Sequence, residues 1–240
     1  MDHHLSGRLM RPLGAALMAA AAAVVIGRTL AQPMAAYDPN QLPAMHGTVA
    51  LYSLTPRGDV DGVILADGTQ VHMPPHLGPR LVAAVKPGDA VTFHGLHAQA
   101  LPLVQALSLS NDATKQTVVD AGPPPRPPAP PPGQSATGFR WQQAEGRVRE
   151  TLYGPRGDMN GALLDDGTQV HLPPDRAAAL AADLAPGQTL VAHGYGVAGP
   201  YGRSIDAAQI GPAADALVQV AGPDGRPPPP QPRPQPPGQP

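Results

Sequence analysis

The chain has 240 residues, of which 34 are proline and 27 are glycine, so about a quarter of it is unsuited to helix or strand interiors. Cysteine is absent, which excludes disulfides, thiolate nucleophiles and cysteine-based zinc sites. The 16 basic and 18 acidic side chains include no basic cluster of the kind that carries sequence-independent binding to nucleic acid. We therefore expect small folded cores of Val, Leu, Ile and Ala, and a folded part much shorter than the chain.

The first 31 residues have the composition of an export signal. Arg8 and Arg11 precede an apolar run over 12–26, and Thr29-Leu30-Ala31 offers small residues to signal peptidase. The 15 residues of this run are fewer than the roughly 20 that a membrane-spanning helix needs. We therefore predict cleavage after Ala31, a periplasmic or secreted location and no stable membrane span after cleavage; an N-terminal segment kept as an anchor is the alternative.

Most of the remaining chain is an internal duplication that follows a short N-terminal segment, 32–44. A shift of 99 residues aligns 46–95 with 145–194 without a gap. On this basis the first repeat covers 45–111 and the second covers 139–212. The shared residues are mostly turn residues; in the first copy they are Pro56-Arg57-Gly58-Asp59, Gly62, Leu65, Asp67-Gly68-Thr69-Gln70-Val71-His72, Pro74-Pro75, Pro87-Gly88 and His94-Gly95.

Turn and alternation signals predict five strands and one short helix in each repeat. The Asp-Gly pairs at 67–68 and 166–167 favour two-residue hairpin turns. Leu81 and Val85, four residues apart, favour a helix within 77–85. Alternating β-branched residues predict the strands, which in the first repeat are 47–54, 62–65, 69–73, 90–94 and 104–109.

Three strands, a helix and two further strands, with a glycine in the first strand where a barrel bends, resemble the OB-fold. The chain is also similar to exported bacterial proteins with two such repeats. The resemblance implies an all-β protein with two tandem five-stranded OB-like barrels, each with one short helix, joined by a proline-rich linker. OB-folds bind oligonucleotides, oligosaccharides or proteins on strands two and three and the adjoining loops. A five-stranded sheet of another topology is the alternative.

Two proline-rich segments flank the second repeat. The linker, 112–138, has eight prolines within 123–132. Such a stretch predicts an extended polyproline II rod of about 30 Å, and we expect it to hold the barrels apart. The tail, 213–240, has nine prolines within 227–240 and is expected to be disordered.

Four histidines are the main candidates for ligand contacts. His72 and His171 lie on the third strand, where alternation predicts that they face away from the core, on the usual OB binding surface. His94 and His193 close the fourth strand and are also predicted to face outward. In OB strand order His72 and His94 are about 10 Å apart, too far to share a metal ion. An outward histidine with an ordinary hydrogen bond is the alternative.

Two further ligand candidates are arginines in turns. Arg57 and Arg156 each begin an Arg-Gly-Asp tripeptide, although a hairpin turn alone accounts for those residues. The alternative site is a metal site in the first repeat. His72, Met73 and His76 offer imidazole and thioether groups that suit copper or another transition metal.

No catalytic motif and no cofactor motif occurs, so we predict a non-enzymatic protein without a cofactor. Nucleic-acid binding is disfavoured because the second and third strands carry no aromatic residue, and Trp141 is expected to cover a barrel end. The sequence therefore predicts an exported binding or scaffolding protein that engages an envelope protein or glycan through two modules.

Overall fold

The computed structural model describes residues 38–122 and 139–220. The predicted signal peptide, the proline rod and the last 20 residues of the tail lie outside the described residues, so cleavage, rod and disorder remain predictions. Within the described ranges no helix is both long enough and apolar enough to cross a membrane.

The first repeat is a closed five-stranded β-barrel, called barrel 1. Its strand order is β3-β2-β1-β4-β5, and a parallel pairing of β3 with β5 closes it. This closure excludes the alternative of a five-stranded sheet of another topology, and it places the fifth strand between the third and the fourth. The elements are β1 (Ala44–Leu54), β2 (Val60–Leu65), β3 (Gln70–His72), α1 (Gly78–Ala84), β4 (Ala90–His97), β5 (Leu103–Asn111) and a short edge strand β6 (Thr117–Val119).

The second repeat, barrel 2, repeats this topology and confirms the all-β class with two tandem barrels. A parallel pairing of the third strand with the fifth again closes the barrel. The elements are β7 (Arg140–Tyr153), β8 (Met159–Leu164), β9 (Thr168–His171), α2 (Pro174–Ala179), β10 (Thr189–Gly199), β11 (Gly202–Gly211) and the edge strand β12 (Val218–Gln219).

The predicted Asp-Gly turns connect the second and third strands of each barrel. Gly68 has φ +87°, a conformation that side chains disfavour, and the Asp67 carboxylate accepts a hydrogen bond from the Thr69 backbone N–H at 3.0 Å. The same geometry recurs at Asp166 and Gly167, where φ is +86°. The turn chemistry therefore fixes the hairpin locally in both copies.

Gly62 and Gly161 have a different function from the turn glycines. A Cβ atom at Gly62 would lie 2.1 Å from the Val71 carbonyl oxygen, and one at Gly161 would lie 1.9 Å from the Val170 carbonyl oxygen. Any side chain at either position would force the second strand of that barrel away from the third. The glycine is thus required by close backbone approach inside a small barrel.

The barrel cores are aliphatic, as the composition predicts. Barrel 1 packs Val, Leu, Ala and Met residues with two aromatic residues, Tyr52 and Phe93, while barrel 2 packs only Ala, Val, Leu and Ile among its buried core residues. Each core is separate, and both belong to one compact unit of the chain.

The two barrels pack directly against each other, so the expectation that the linker holds them apart is wrong. Gln70 on β3 is only 1% exposed although it faces away from its own core. Its side-chain amide donates to the Thr151 carbonyl oxygen at 2.8 Å, and its side-chain oxygen accepts from the Tyr153 backbone N–H at 2.9 Å. Barrel 1 therefore completes the backbone hydrogen bonding of β7 in barrel 2.

The second repeat makes the same contact in return. Gln169 donates to the Tyr52 carbonyl oxygen at 2.8 Å and accepts from the Leu54 backbone N–H at 2.9 Å. All three residues are the 99-residue equivalents of those in the first contact. The interface is thus isologous within one chain, with a pseudo-twofold axis between the barrels. A small apolar cluster adjoins it, formed by Leu51, Ile64, Leu152 and Leu163.

We expect Gln70→Ala and Gln169→Ala to weaken the protein strongly. Each change leaves one backbone N–H and one carbonyl without a partner in the interface, at about 1–3 kcal/mol per group. Urea unfolding monitored by circular dichroism measures the loss, and Gln116→Ala, at an exposed position, is the control, expected to change stability by less than about 0.5 kcal/mol.

The same variants test whether the barrels truly touch. Amide NMR shifts of Tyr153 are expected to move in Gln70→Ala, and those of Leu54 in Gln169→Ala, because each mutated side chain belongs to the opposite barrel. Unchanged shifts and unchanged stability would contradict the packed arrangement.

Candidate functional site

The structure places His72 and His171 in the contact between the barrels. Alternation correctly predicts that both lie opposite their cores, since Val71 and Val170 are core residues. The expectation of an exposed surface is wrong, because the other barrel covers that face and leaves the histidines 5% and 6% exposed. The two OB binding faces are therefore turned toward each other, and they cannot act as two separate, bivalent sites in this arrangement.

A small polar cavity of about 30 Å³ lies between the barrels. Both members of each equivalent pair line it: Asp61 with Asn160, and His72 with His171. The cavity therefore lies on the pseudo-twofold axis. Its volume has room for about one water molecule, and it cannot hold a substrate of ordinary size.

Several buried polar atoms around this cavity lack hydrogen-bond partners among the described residues. They are Oδ1 of Asp61, Oδ1 of Asn160 and both ring nitrogens of His72 and of His171. The contact between His72 and Asp61 is long, with 3.8 Å between His72 Nδ1 and Asp61 Oδ2. Buried polar groups in native proteins are normally paired, so these atoms form an unsatisfied polar cluster within the interface.

Burial sets the protonation of this cluster. Burial and, second to it, the nearby His72 lower the pKa of His171 to about 4, against the opposing effect of the Leu54 backbone. Burial raises the pKa of Asp61, against the opposing effects of His72 and of a hydrogen bond from Ser53. His171 is therefore neutral at pH 7.

The structure does not bring together the residues of the metal alternative. Met73 lies in the core of barrel 1, His72 faces the other barrel, and His76 is exposed on the segment before α1. Neighbouring residues on a strand point to opposite sides, so His72 and Met73 cannot approach one ion from the same side. Among the described residues, no group of three or more His, Asp or Glu side chains is placed to hold a metal ion.

The other four candidates lie apart from this cavity. His94 and His193 are half-buried on the fourth strands, and a ring nitrogen of His94 lies 3.1 Å from the Leu42 carbonyl oxygen. Arg57 and Arg156 are exposed in the first turns of the two barrels. The six candidates therefore do not form one site, and their ligand roles remain predictions.

An aromatic cluster that the sequence analysis did not identify lies on the outside of barrel 2. Trp141 on β7 pairs in register with Tyr195 on β10, and their rings meet edge to face with centroids 5.2 Å apart. Phe139, 37% exposed, stacks on Tyr195 with centroids 5.8 Å apart. Gln143 and His193 form the next register pair on the same face, two residues along each strand. We call these five residues the outer aromatic face.

The position of Trp141 corrects its expected role as a plug for the barrel end. Ala144 and Val148 of β7 belong to the core, so by alternation Trp141 points outward. Gln142 points inward instead and accepts a hydrogen bond from Arg203 Nε at 3.0 Å. The signal available in the sequence was the Phe-x-Trp alternation at 139 and 141, which a strand beginning near Arg140 places on one side.

The outer aromatic face is a property of barrel 2 alone. The 99-residue equivalents of Phe139, Trp141 and Tyr195 are Asn40, Leu42 and Leu96. Leu96 is 64% exposed on β4. Barrel 1 therefore provides matched positions at which the same changes can be made without touching an aromatic cluster.

No family model matches the chain, and no curated protein matches it. A solved structure of a mutant single-stranded DNA binding protein from Thermus aquaticus is similar at 13% identity and a TM-score of 0.22, covering 75% of this chain and 96% of that chain. At this TM-score the likeness carries no functional argument.

We expect acid to destabilise the protein through His171. Its folded pKa of about 4 lies below its ordinary value of 6.5, so between these values the unfolded chain binds a proton that the folded chain does not. Stability is therefore full above pH 6.5 and falls toward pH 4, by at most about 1.4 kcal/mol per pH unit from this group. In His171→Gln the loss over this window is expected to be smaller by up to about 3 kcal/mol.

Urea unfolding at intervals from pH 7 to pH 4 measures this slope. The exposed Gln116→Ala, which removes no titratable group, is the control and should retain the wild-type slope. Asp61→Asn should act in the opposite sense, because a raised folded pKa makes the contribution of Asp61 fall as pH rises. Equal slopes in wild type and His171→Gln would show that His171 does not titrate in this way.

Proposed function

We propose that this protein is a non-enzymatic, exported binding and scaffolding protein whose ligand surface is the outer aromatic face of barrel 2. The observation that carries this proposal is the concentration of aromatic rings. The chain has only 1 Trp, 5 Tyr and 2 Phe, eight aromatic residues in all, and three of the eight lie together here and include the single tryptophan.

Partly exposed aromatic rings beside polar groups are typical of binding surfaces. Trp and Tyr supply much of the binding energy in protein interfaces, because they bury a large apolar area and carry a polar atom. Gln143 and His193 flank the rings with an amide and an imidazole, which orient a ligand through hydrogen bonds. Both features suit an envelope protein or an envelope glycan.

The usual OB ligand faces support this choice by being covered. Strands two and three of each barrel, and the loops beside them, pack against the other barrel through Gln70 and Gln169. A ligand that used either face would have to displace a barrel and leave buried backbone groups unpaired. The outer aromatic face lies on the paired strands β7 and β10, and a ligand can bind there without displacing a barrel.

Two further observations support a non-enzymatic, exported protein. The buried histidines and Asp61 surround a cavity of about 30 Å³, too small for a substrate, which argues against their use in catalysis. The composition of the first 31 residues supports export and, with it, a ligand in the cell envelope.

Photo-crosslinking in the producing cell tests the proposal. A benzoylphenylalanine at Gln143, exposed beside the rings, is expected to form an adduct with an envelope component. The same probe at Ala44, the exposed equivalent position of barrel 1, is the control and is expected to give none. Mass spectrometry of the adduct then distinguishes a protein from a glycan.

Matched truncations complete the test. Tyr195→Ala is expected to reduce the adduct at position 143 about tenfold or more, as for an interface hot spot, whereas Leu96→Ala should leave it unchanged. Thermal unfolding checks that both variants are folded. If the adduct persists in Tyr195→Ala, or if Ala44 gives the same adduct, the outer aromatic face is not the ligand surface.

A further inference from the structure

We infer that the outer aromatic face binds a proline-rich segment in the polyproline II conformation, and that residues 223–240 of the same chain occupy it. The inference deepens the proposed function and rests on it in one respect only, the use of this face for binding. It names an occupant that the chain itself supplies and that an envelope ligand has to displace, and it adds the class of ligand that the face takes.

The geometry of the rings suits proline. Trp141 stands at 80° to Tyr195, while Phe139 lies within 21° of parallel to it, so the three rings form a stepped apolar surface. Proline-rich segments dock on aromatic-lined surfaces of this kind because their rings are apolar and their backbone is already extended. Ordering such a segment costs little conformational entropy, which favours binding by a small surface.

Hydrogen-bonding groups beside the rings suit the same ligand. A polyproline II backbone makes no internal hydrogen bonds and leaves its carbonyl oxygens available as acceptors. The Gln143 amide and the Tyr195 hydroxyl are donors next to the rings, and Gln143 is exposed. Both can therefore donate to the carbonyls of a docked segment.

The composition of residues 223–240 matches these requirements. This segment has ten prolines among its 18 residues, Pro223 and nine more within 227–240, and no aromatic residue. The charged residues of the segment contribute little to the affinity. The next outward residues along β7, Glu145 and Arg147, have opposite signs, so this strand offers no net charge to attract the segment. Packing of proline rings on the aromatic rings must supply the affinity.

The tail also leaves the barrel close to the face. Val220, the last described residue, follows β12, and its backbone N–H donates to the Ala208 carbonyl oxygen on β11 at 2.8 Å. Strand β11 pairs with β10 on its other side, so the tail begins two strands, about 10 Å, from the strand of Tyr195. Eighteen residues in polyproline II conformation span about 56 Å, which is ample.

Tethering makes the tail of the same chain the favoured occupant. A short tether gives an effective concentration of the order of millimolar, so weak contacts are enough for occupancy. The proline-rich linker, 123–132, is the competing occupant, and a peptide of its sequence tests it separately.

The single tryptophan makes the docking directly measurable. Trp141 is the only tryptophan of the chain, so its fluorescence reports on this face alone. Purified protein lacking 223–240 is expected to show red-shifted emission and stronger quenching by acrylamide than the full chain. A synthetic peptide of residues 223–240, added to the shortened protein, should reverse both changes with a saturable titration.

Variants that keep Trp141 locate the binding. Tyr195→Ala and Phe139→Ala are each expected to weaken peptide binding about tenfold or more, and Leu96→Ala, at the equivalent position of barrel 1, should not change it. A peptide with every proline of 223–240 replaced by alanine is expected to give no saturable response. Circular dichroism verifies that each variant is folded.

Each remaining outcome overturns a defined part of the inference. Identical emission and quenching in the full and shortened proteins, with no saturable response to the peptide, would overturn it entirely. Saturable binding of a 123–132 peptide but not of 223–240 would overturn the tail as occupant. A difference that appears only at concentrations where sedimentation shows a dimer would overturn occupancy within one chain.

The two experiments separate this inference from the proposed function. Failure of the fluorescence test with a Tyr195-dependent adduct at Gln143 would overturn the tail as occupant and leave the ligand surface in place. A positive fluorescence test without any Tyr195-dependent adduct would support tail docking and contradict an envelope ligand at this face.

Discussion

The reciprocal contacts of Gln70 and Gln169 are the constraint on which the arrangement of this molecule depends. Each side chain completes two backbone hydrogen bonds of the opposite barrel, with distances between 2.8 and 2.9 Å. Because both glutamines lie on the third strand, this pairing turns the two OB ligand faces toward each other. It also encloses His72 and His171 next to the glutamines. The surface that the sequence predicts as a binding site is therefore the interface between the two barrels.

The fold was predictable from the sequence because its determinants are local. Asp67 and Gly68 specify a hairpin with no information from elsewhere in the chain, and the parallel closure of the barrel follows from the number and order of strands. The packing of the barrels was not predictable in this way. Alternation correctly assigns Gln70 and His72 to the side opposite the core, but it does not indicate what covers that side.

The outer aromatic face was missed for a related reason. Trp141 and Tyr195 are 54 residues apart in the chain, and only the register of β7 with β10 makes them neighbours. The repeat alignment also identifies only residues that both copies share, whereas the positions of Trp141 and Tyr195 hold leucine in the first copy. Aligning the two copies identifies the residues that both of them need for the fold. A group of residues that occurs in only one copy becomes visible once the strand pairing is known.

The two copies differ at one position next to the pseudo-twofold axis, and electrostatics explains the difference. Gln and His are identical in both repeats there, but Asp61 faces the cavity from barrel 1 and Asn160 from barrel 2. Two carboxylates at equivalent positions would place like charges in a buried site next to the axis, and each would raise the pKa of the other. One carboxylate and one amide avoid this repulsion and keep the hydrogen-bonding shape. The pseudo-symmetric interface therefore accommodates this asymmetric pair, and the larger divergence between the copies lies on the outer strands, away from the contact.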